Sequence, residues 1–449
     1  MTHRWIFVTA ARLFAVAMGS GLCLAAHAQE AVFEGLGDLP GGTAFSAARG
    51  VSADGRVVVG TSGSTNGQEA FRWEAGSLAG LGDLQGGAFA SLANDVSADG
   101  TVVVGRGLSG AGLEAFRWEG GRMMGLGDLP AGPFFSTANA VSADGAVVVG
   151  TGASSMGEEA FRWEAGVMSG LGYLPGFLLT SQGNDVTGDG SVVVGTSYSE
   201  AFRWEDGTLE GIGSLPNAQF GVRANAITRD GSVIVGASDS NEGIQAFRWE
   251  AGDMVSLGDV PDPLAYAEAL AVSLDGTTVV GFGGTDTGDE HALIWLGSTG
   301  TQFLADVLSA DYGLDLTGWT LHRAWDLSDD GTVIVGDGTN PDGHPEAWRV
   351  VLANGVSAAP PPDAPALSLA SFPNPARDSA TLSVSLTVPG GATLDVFDVL
   401  GRSVTATHHV ASAGRHTVVL PTAGWPAGTY RVRARAGGQS VWHAITVLR

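Results

Sequence analysis

Val51-Ser52-Ala53-Asp54-Gly55-Arg56-Val57-Val58-Val59-Gly60, followed by Glu69-Ala70-Phe71-Arg72-Trp73-Glu74, decides the fold. The first stretch returns at Val96, Val141, Val186, Ile227, Val272 and Leu327. Its Asp-Gly aspartates are Asp54, Asp99, Asp144, Asp189, Asp230, Asp275 and Asp330, spaced by 45, 45, 45, 41, 45 and 55 residues. The second stretch is centred on Trp73, Trp118, Trp163, Trp204 and Trp249 and degenerates at Trp295. Each repeat holds four short strand candidates. Strand a runs into Val51-Ser52, Asp54-Gly55 is a hairpin signal, and strand b is Val57-Val58-Val59. Strand c alternates, Phe71 and Trp73 on one face and Ala70 and Arg72 on the other, and Ala75-Gly76 turns it into strand d. Four antiparallel strands every ~45 residues is the pattern of a propeller blade.

The two ends support a ring. A lone strand d, Phe33-Glu34-Gly35-Leu36, precedes the first strand a, and the last repeat, ending at Glu346-Ala347-Trp348-Arg349-Val350, lacks its own d. A d strand borrowed from the N-terminal side closes seven blades and removes an open edge. An open solenoid would not call for complementary halves. The expected fold class is therefore all-β, a seven-bladed β-propeller over residues 29–352. The repeat resembles the HAF family of bacterial extracellular repeats, with Glu69, Glu114, Glu159, Glu200 and Glu346 where that family has His, Gln245 once, and His291 in the sixth repeat. That resemblance implies an extracellular repeat protein and carries no catalytic residues with it.

Residues 1–28 read as a signal peptide: Arg4, an apolar stretch from Leu13, and a cleavage site at Ala26-His27-Ala28. The stretch is too short to span a membrane, and no later segment approaches the necessary length. Residues 353–366 are an Ala- and Pro-rich linker. Residues 367–449 read as a small Ig-like β-sandwich, with alternation in Leu382-Val384-Leu386, Leu394-Val396, Val418-Leu420 and Tyr430-Val432. This segment resembles the type A C-terminal sorting domain of proteins exported by the type IX secretion system. The resemblance rests on Phe372-Pro373-Asn374-Pro375, Asp398-Val399-Leu400-Gly401-Arg402, Gly414-Arg415-His416, and Gly428-Thr429-Tyr430. It implies the type IX machinery as a partner and delivery to the cell surface or medium.

Charge narrows the function classes. The chain has 22 basic and 47 acidic residues, a net charge of −25, and every basic residue is Arg. Residues 31–352 hold 13 Arg against 42 acids, net −29, so nucleic acid is not an expected partner. Cys23 is the only cysteine and lies in the leader.

Candidate chemistry is sparse. The Trp series reads as packing between sheets. Arg72, Arg117, Arg162, Arg203, Arg248 and Arg349 share a face with Glu74, Glu119, Glu164, Glu205 and Glu250 and read as structural pairs around the ring. The Asp-Gly aspartates are turn residues, one per blade, whereas calcium needs six to eight converging oxygens. Asp286, Asp289 and Glu290, in one b–c loop, are the weak candidates for a metal site, and calcium is the one possible cofactor. His291, His322 and His344 show no metal-ligand spacing. The b–c and d–a connections are longer, variable and on one end of the ring, several of them acidic or hydroxyl-rich (Ser62 to Gln68, Ser238 to Glu242, Thr285 to Glu290, Gly336 to Asp342). Variable loops on a rigid scaffold are where binding sits. The expected function is a secreted or cell-surface binding module for an extracellular glycan, polymer, cation or protein, not an enzyme. The alternatives are a hydrolase using Asp95, Asp185 and Asp326 on the inner strands, and a purely structural surface-layer protein.

Overall fold

The structure is a computed structural model that describes residues 31–352 apart from 177, 219–220, 262–263 and 298–299. Further on it describes 367–372, 379–386, 392–397, 402, 404, 408–410, 414–436 and 439–447. The signal-peptide reading, with Ala26 and Ala28, and the linker reading of 353–366 fall outside the described residues. The chain divides into two compact parts, Met1–Val356 and Ser357–Arg449.

The first part is a β-propeller built by the repeat. In the first repeat Gly41–Val51, Val57–Ser64, Gly67–Glu74 and Ser77–Gly80 pair antiparallel in that order, as strands a, b, c and d. The repeats that follow copy this arrangement. In the last one, Thr320–Leu327, Val333–Thr339 and Pro345–Val351 are a, b and c, and the d position is filled by Val32–Gly35. The pairing registers Val32 against Val351 and Gly35 against Trp348.

Contacts made within each repeat are reproduced across this seam. Gly82 N donates to Glu69 and Leu81 N to the Ala70 carbonyl; correspondingly, Gly37 N donates to Glu346 at 2.9 Å and Leu36 N to Ala347 O at 2.8 Å. The Glu that opens Glu-Ala-Phe-Arg-Trp therefore holds the turn after strand d, in cis or across the closure.

Neighbouring repeats are stapled the same way around the circle. Arg72 pairs with Glu74 at 2.7 Å and donates to the Gly100 carbonyl of the next Asp-Gly turn at 3.2 Å. Arg117 reaches Gly145, Arg162 reaches Gly190, and Arg349 of the last repeat reaches Gly55 of the first. The turns also join directly: Ala53 N donates to Ala98 O, Ala98 N to Ala143 O, and Asp329 N back to Ala53 O. Hydrophobic core lies between sheets, not within them. Val57, Val59 and Leu81 of the first repeat meet Val103 and Phe116 of the second, and Val333 and Val335 of the last meet Val58, Phe71 and Trp73 of the first. Phe71, Phe116, Phe161, Phe202 and Phe247 are fully buried, so the aromatic series packs.

Two local features shape the interior. Strand b ends its Val run in Gly because a Cβ at Gly60 would overlap the Ala47 carbonyl oxygen of strand a. Strand a carries a β-bulge in every repeat, at 48/50, 93/95, 138/140, 183/185, 224/226, 269/271 and 324/326. The Asp-Gly reading needs one correction: it is not a two-residue hairpin. Ser52–Arg56 form a five-residue connection in which Val57 N donates to Ser52 Oγ and Asp54 accepts from Ser52 Oγ and Arg56 N. The two-residue turn is at Ala75-Gly76, both left-handed, with φ of 49° and 80°.

The last repeat is set apart by a short helix, Leu304–Ala310, whose Leu304, Val307 and Leu308 are buried against Trp348 and Leu321. It accounts for the 55-residue spacing. Among the described residues no helix is long and apolar enough to cross a membrane.

The second part is all-β. Leu367–Phe372, Ser379–Leu386 and Gly414–Pro421 make one sheet, and His408–Val410, Ala392–Phe397, Gly428–Ala436 and Gln439–Val447 make another. Leu394, Val396, Val432, Ala434 and Ile445 are fully buried.

Candidate functional site: the central channel

The bulge determines what the channel presents. A bulge sets two residues of one strand against one of its partner and re-aims their side chains. The bulged positions, Arg49, Asn94, Asn139, Asn184, Asn225, Leu270 and Trp325, all line the channel. Four of them are Asn, and each Nδ2 donates across to the next repeat: Asn94 to Ala138 O, Asn139 to Gly183 O, Asn184 to Ala224 O, at 2.8 Å each, and Asn225 to Ala269 O at 2.9 Å. This fixes the amides, because the donor nitrogen is committed to a carbonyl.

The next residue along is Asp in three repeats. Asp95 accepts from Val96 N and Val141 N, Asp185 from Val186 N and Ile227 N, and Asp326 from Leu327 N and Val51 N. Each carboxylate joins two neighbouring repeats through the N–H groups freed by the bulge. They face a cavity of about 160 Å³ that also contains the Arg229–Asp329 ion pair, 2.6 Å long. The side chains keep some contact with the channel, yet protein encloses them closely. Burial pushes Asp95 up to about 6 and Asp185 to about 7, and takes Asp326 well above the usual carboxylate range. The Asp95 charge adds to the rise at the other two. The hydrolase candidates are thus brought together, and brought together as backbone staples. His291, His322 and His344 line neither channel cavity. His322 bonds Thr339 Oγ1 at 2.9 Å.

Towards the other end the channel widens to about 1130 Å³. Its wall comes from the starts of strands a and the b–c turns, including Thr180, Gln182, Tyr198, Arg223, Ser240 and Glu268. This is the end to which the variable loops belong. The fourth repeat lowers the rim: its strands b and c, Val192–Ser197 and Glu200–Glu205, have six residues each against eight in the first. That trimming is the physical content of the 41-residue spacing. Tyr198 sits in the shortened turn, 54% exposed and left-handed at φ 53°.

The charge of the wall opposes the charge of the ring. Arg49, Arg106 and Arg223 face Asp239 and Glu268, net +1 from those five residues, within a ring of net −29. Arg223 is paired with Glu268, and Asp239 accepts from Gly221 N. Among the described residues, ten of the 13 ring arginines form ion pairs; Arg49, Arg106 and the exposed Arg122 do not. The Arg49 guanidinium lies 3.8 Å from the centre of the Trp325 ring, and the indole Nε1 of Trp325 donates to Asp337. Burial lowers the Arg49 pKa, the Asp337 charge opposes that, and the Arg323 and Arg106 charges lower it further.

The candidate calcium loop behaves differently. Glu290 is held by Arg323 in a two-pronged ion pair, and Asp289 accepts from Thr287 Oγ1 at 3.0 Å. Among the described residues no three His, Cys, Asp or Glu side chains form a group able to hold a metal, so Asp286, Asp289 and Glu290 do not converge.

Of the sorting-motif residues, Pro373, Asn374, Pro375, Asp398 and Gly401 lie outside the described residues. Arg402 is exposed, Gly414 and Gly428 each begin a strand, and Tyr430 is buried with its hydroxyl donating to Pro426 O at 2.7 Å.

Sequence reasoning missed Arg49, Arg106, Trp325 and the Asn series. The signal was present: within a faithfully copied strand a, the residue two before the terminal Val, Ile or Leu is the one that reads Arg, Asn, Leu or Trp.

Among solved structures, the chain is similar to oligogalacturonate lyase from Vibrio parahaemolyticus (10% identity, 73% of this chain and 98% of that one, TM-score 0.47). It is also similar to the β-propeller domain of the Trilobed protease from Pyrococcus furiosus (12% identity, 69% and 96%, TM-score 0.41). TolB from Acinetobacter baumannii aligns at 13% identity over 56% of this chain and 64% of its own length, with a TM-score of 0.38. No curated protein matches the chain. Residues 370–447 match the family described as Secretion system C-terminal sorting domain, so the chain ends in a type IX sorting tail, which implies export to the cell surface or beyond.

Proposed function

We propose that the chain is an extracellular binding module: a seven-bladed propeller of HAF-like repeats, carried out of the cell by an Ig-like sorting sandwich, that takes its ligand at the wide mouth of the central channel. The observation that carries the reading is the 1130 Å³ cavity lined by fixed amides, hydroxyls and two arginines without ion-pair partners. Preorganised polar groups in a concave site are the hallmark of ligand recognition. The aspartates of the throat support binding over hydrolysis, since each already accepts two backbone hydrogen bonds and serves as a joint between repeats. The closing strand Val32–Gly35 and the Arg349–Gly55 staple support seven blades over an open array.

The test is a glycan and polymer binding screen of the full chain beside Gln182→Trp, which places a bulky ring in the mouth at an exposed position. Binding present in the native chain and lost in the variant, with an unchanged melting temperature, is the expected result. Binding indifferent to the plug moves the site to the outer surface.

A further inference from the structure

Resting on that reading of the mouth, we infer that its ligand is a short acidic oligosaccharide or the end of an acidic polysaccharide, whose carboxylate or sulfate groups are taken by Arg49 and Arg106. The argument starts from scarcity. A ring with 42 acids and 13 arginines has a carboxylate available for nearly every cation, and ten arginines use one. The two channel arginines that do not are neighbours close enough to repel each other, on the first and second repeats. Keeping two like charges together and half-buried costs the free protein stability, and an anion between them returns it.

The arrangement is preorganised for an oxyanion. Trp325 fixes the Arg49 guanidinium against its face, and Asp337, which the indole Nε1 holds, tempers the charge without bridging to it. A guanidinium held in place offers a forked pair of donors matched to carboxylate or sulfate. The Trp325 face is thereby occupied and is not the stacking surface. Tyr198 is: an exposed aromatic on the lowered rim of the fourth repeat, where a sugar ring can lie against it as the chain leaves the mouth.

The rest of the wall suits hydroxyls. Asn94, Asn139, Asn184 and Asn225 donate to protein through Nδ2, so their Oδ1 atoms are acceptors at fixed places around the channel. Thr137, Thr180 and Ser240 add hydroxyls of their own. Below them the Asp95, Asp185 and Asp326 carboxyls and the Arg229–Asp329 ion pair narrow the channel to about 160 Å³, which keeps a saccharide at the level of the arginines. The net −29 of the ring repels a long polyanion laid over the surface, which is why the ligand is a short piece or an end.

The experiment is calorimetric titration of the full secreted chain with a uronic-acid tetrasaccharide, its carboxyl-reduced form, a sulfated neutral tetrasaccharide, and a glutamate tetrapeptide. The acidic sugars are expected to bind roughly tenfold or more tighter than the carboxyl-reduced one. Arg106→Gln and Arg49→Lys should each remove most of that difference with little change in melting temperature, Arg49→Lys because it keeps charge and loses the fork. Equal affinity for the carboxyl-reduced sugar, or no binding of either acidic sugar, overturns the inference. So does a glutamate peptide that binds as tightly through Arg106, which would make the ligand an acidic protein. Sugar binding that is lost in Gln182→Trp yet untouched in Arg106→Gln overturns the acidic ligand and leaves the mouth as the site.

Discussion

The last blade is completed by the four residues Val32–Gly35, and truncating one of them measures what they contribute to closure. Phe33 reaches across the seam with its ring 5.1 Å from that of Trp319, edge-on at 78°, and 6.1 Å from that of Trp348. It is half-buried, so Phe33→Ala gives up about 1–2 kcal/mol of apolar burial. The aromatic geometry adds about 0.5–1.5 kcal/mol, for a total near 2–3 kcal/mol. At roughly 2 cal/mol/K per residue over about 320 residues, that lowers the melting temperature by about 3–5 °C. Val32 is the control: it belongs to the same strand but is 47% exposed, and Val32→Ala should stay within about 0.5 kcal/mol. Deleting residues 29–38 removes the strand itself, leaves Pro345–Val351 as an open edge, and should produce aggregation. Thermal unfolding followed by near-ultraviolet circular dichroism, with light scattering for the deletion, reads all three. A Phe33→Ala variant no less stable than Val32→Ala, together with a monomeric deletion of unchanged melting, would refute closure through this strand.

Other consequences follow from the charges. Asp95 and Asp185 titrate higher in the folded chain than in the unfolded one, so folding takes up protons, and stability should fall as pH rises from about 4 through 7. The cost at pH 8 is on the order of 3–4 kcal/mol for each, and Asp185→Ala should flatten the slope in a pH series of urea unfolding. Asp99 and Asp144, whose pKa is lowered by hydrogen bonds from Ser97 and Ser142, act in the opposite sense and set the acid limb below about pH 4. A stability that climbs from pH 5 to 8 contradicts this assignment. Melting temperature should rise between 0.05 and 2 M NaCl as the −29 of the ring is screened. At fixed ionic strength it should ignore calcium, because Arg323 already holds Glu290; a calcium-specific rise would restore the loop site. Removing residues 367–449 should leave the propeller folded in the periplasm of a host with type IX export, and surface delivery without the tail would reduce that domain to an accessory.

Much of the ring was legible because each blade is a copy. One reading of Phe71, Arg72 and Trp73 applied five times over, and the half-blades at the two ends announced the seam. The Arg series was legible as pairing but not in its reach: that Arg72 also binds the Gly100 carbonyl needs the distance between repeats, which no single strand reveals. Asp54-Gly55 was misread as a tight hairpin because Ser52, two residues earlier, takes over Val57 N and lengthens the connection. The site was the least legible part. A β-bulge has no sequence signature in Ala-Asn-Asp-Val, so the sequence placed Asp95 on an inner strand without showing that Asn94 beside it faces the channel as well. Arg49 and Arg106 lie 57 residues apart and looked like two unremarkable members of a set of 13. Only the fold shows which arginines have carboxylates beside them.

The most direct test of the account is hydrogen exchange of the full secreted chain with and without a saturating ligand from the binding screen. Binding in the channel mouth predicts protection at the starts of strands a and in the b–c turns of the fourth and fifth repeats, with residues 180–184 and 197–200 most affected. The Asp-Gly turns at the far end should exchange as before. Protection confined to the outer d strands, Ser77–Gly80 and its counterparts, or spread evenly over the ring, would contradict a site in the channel.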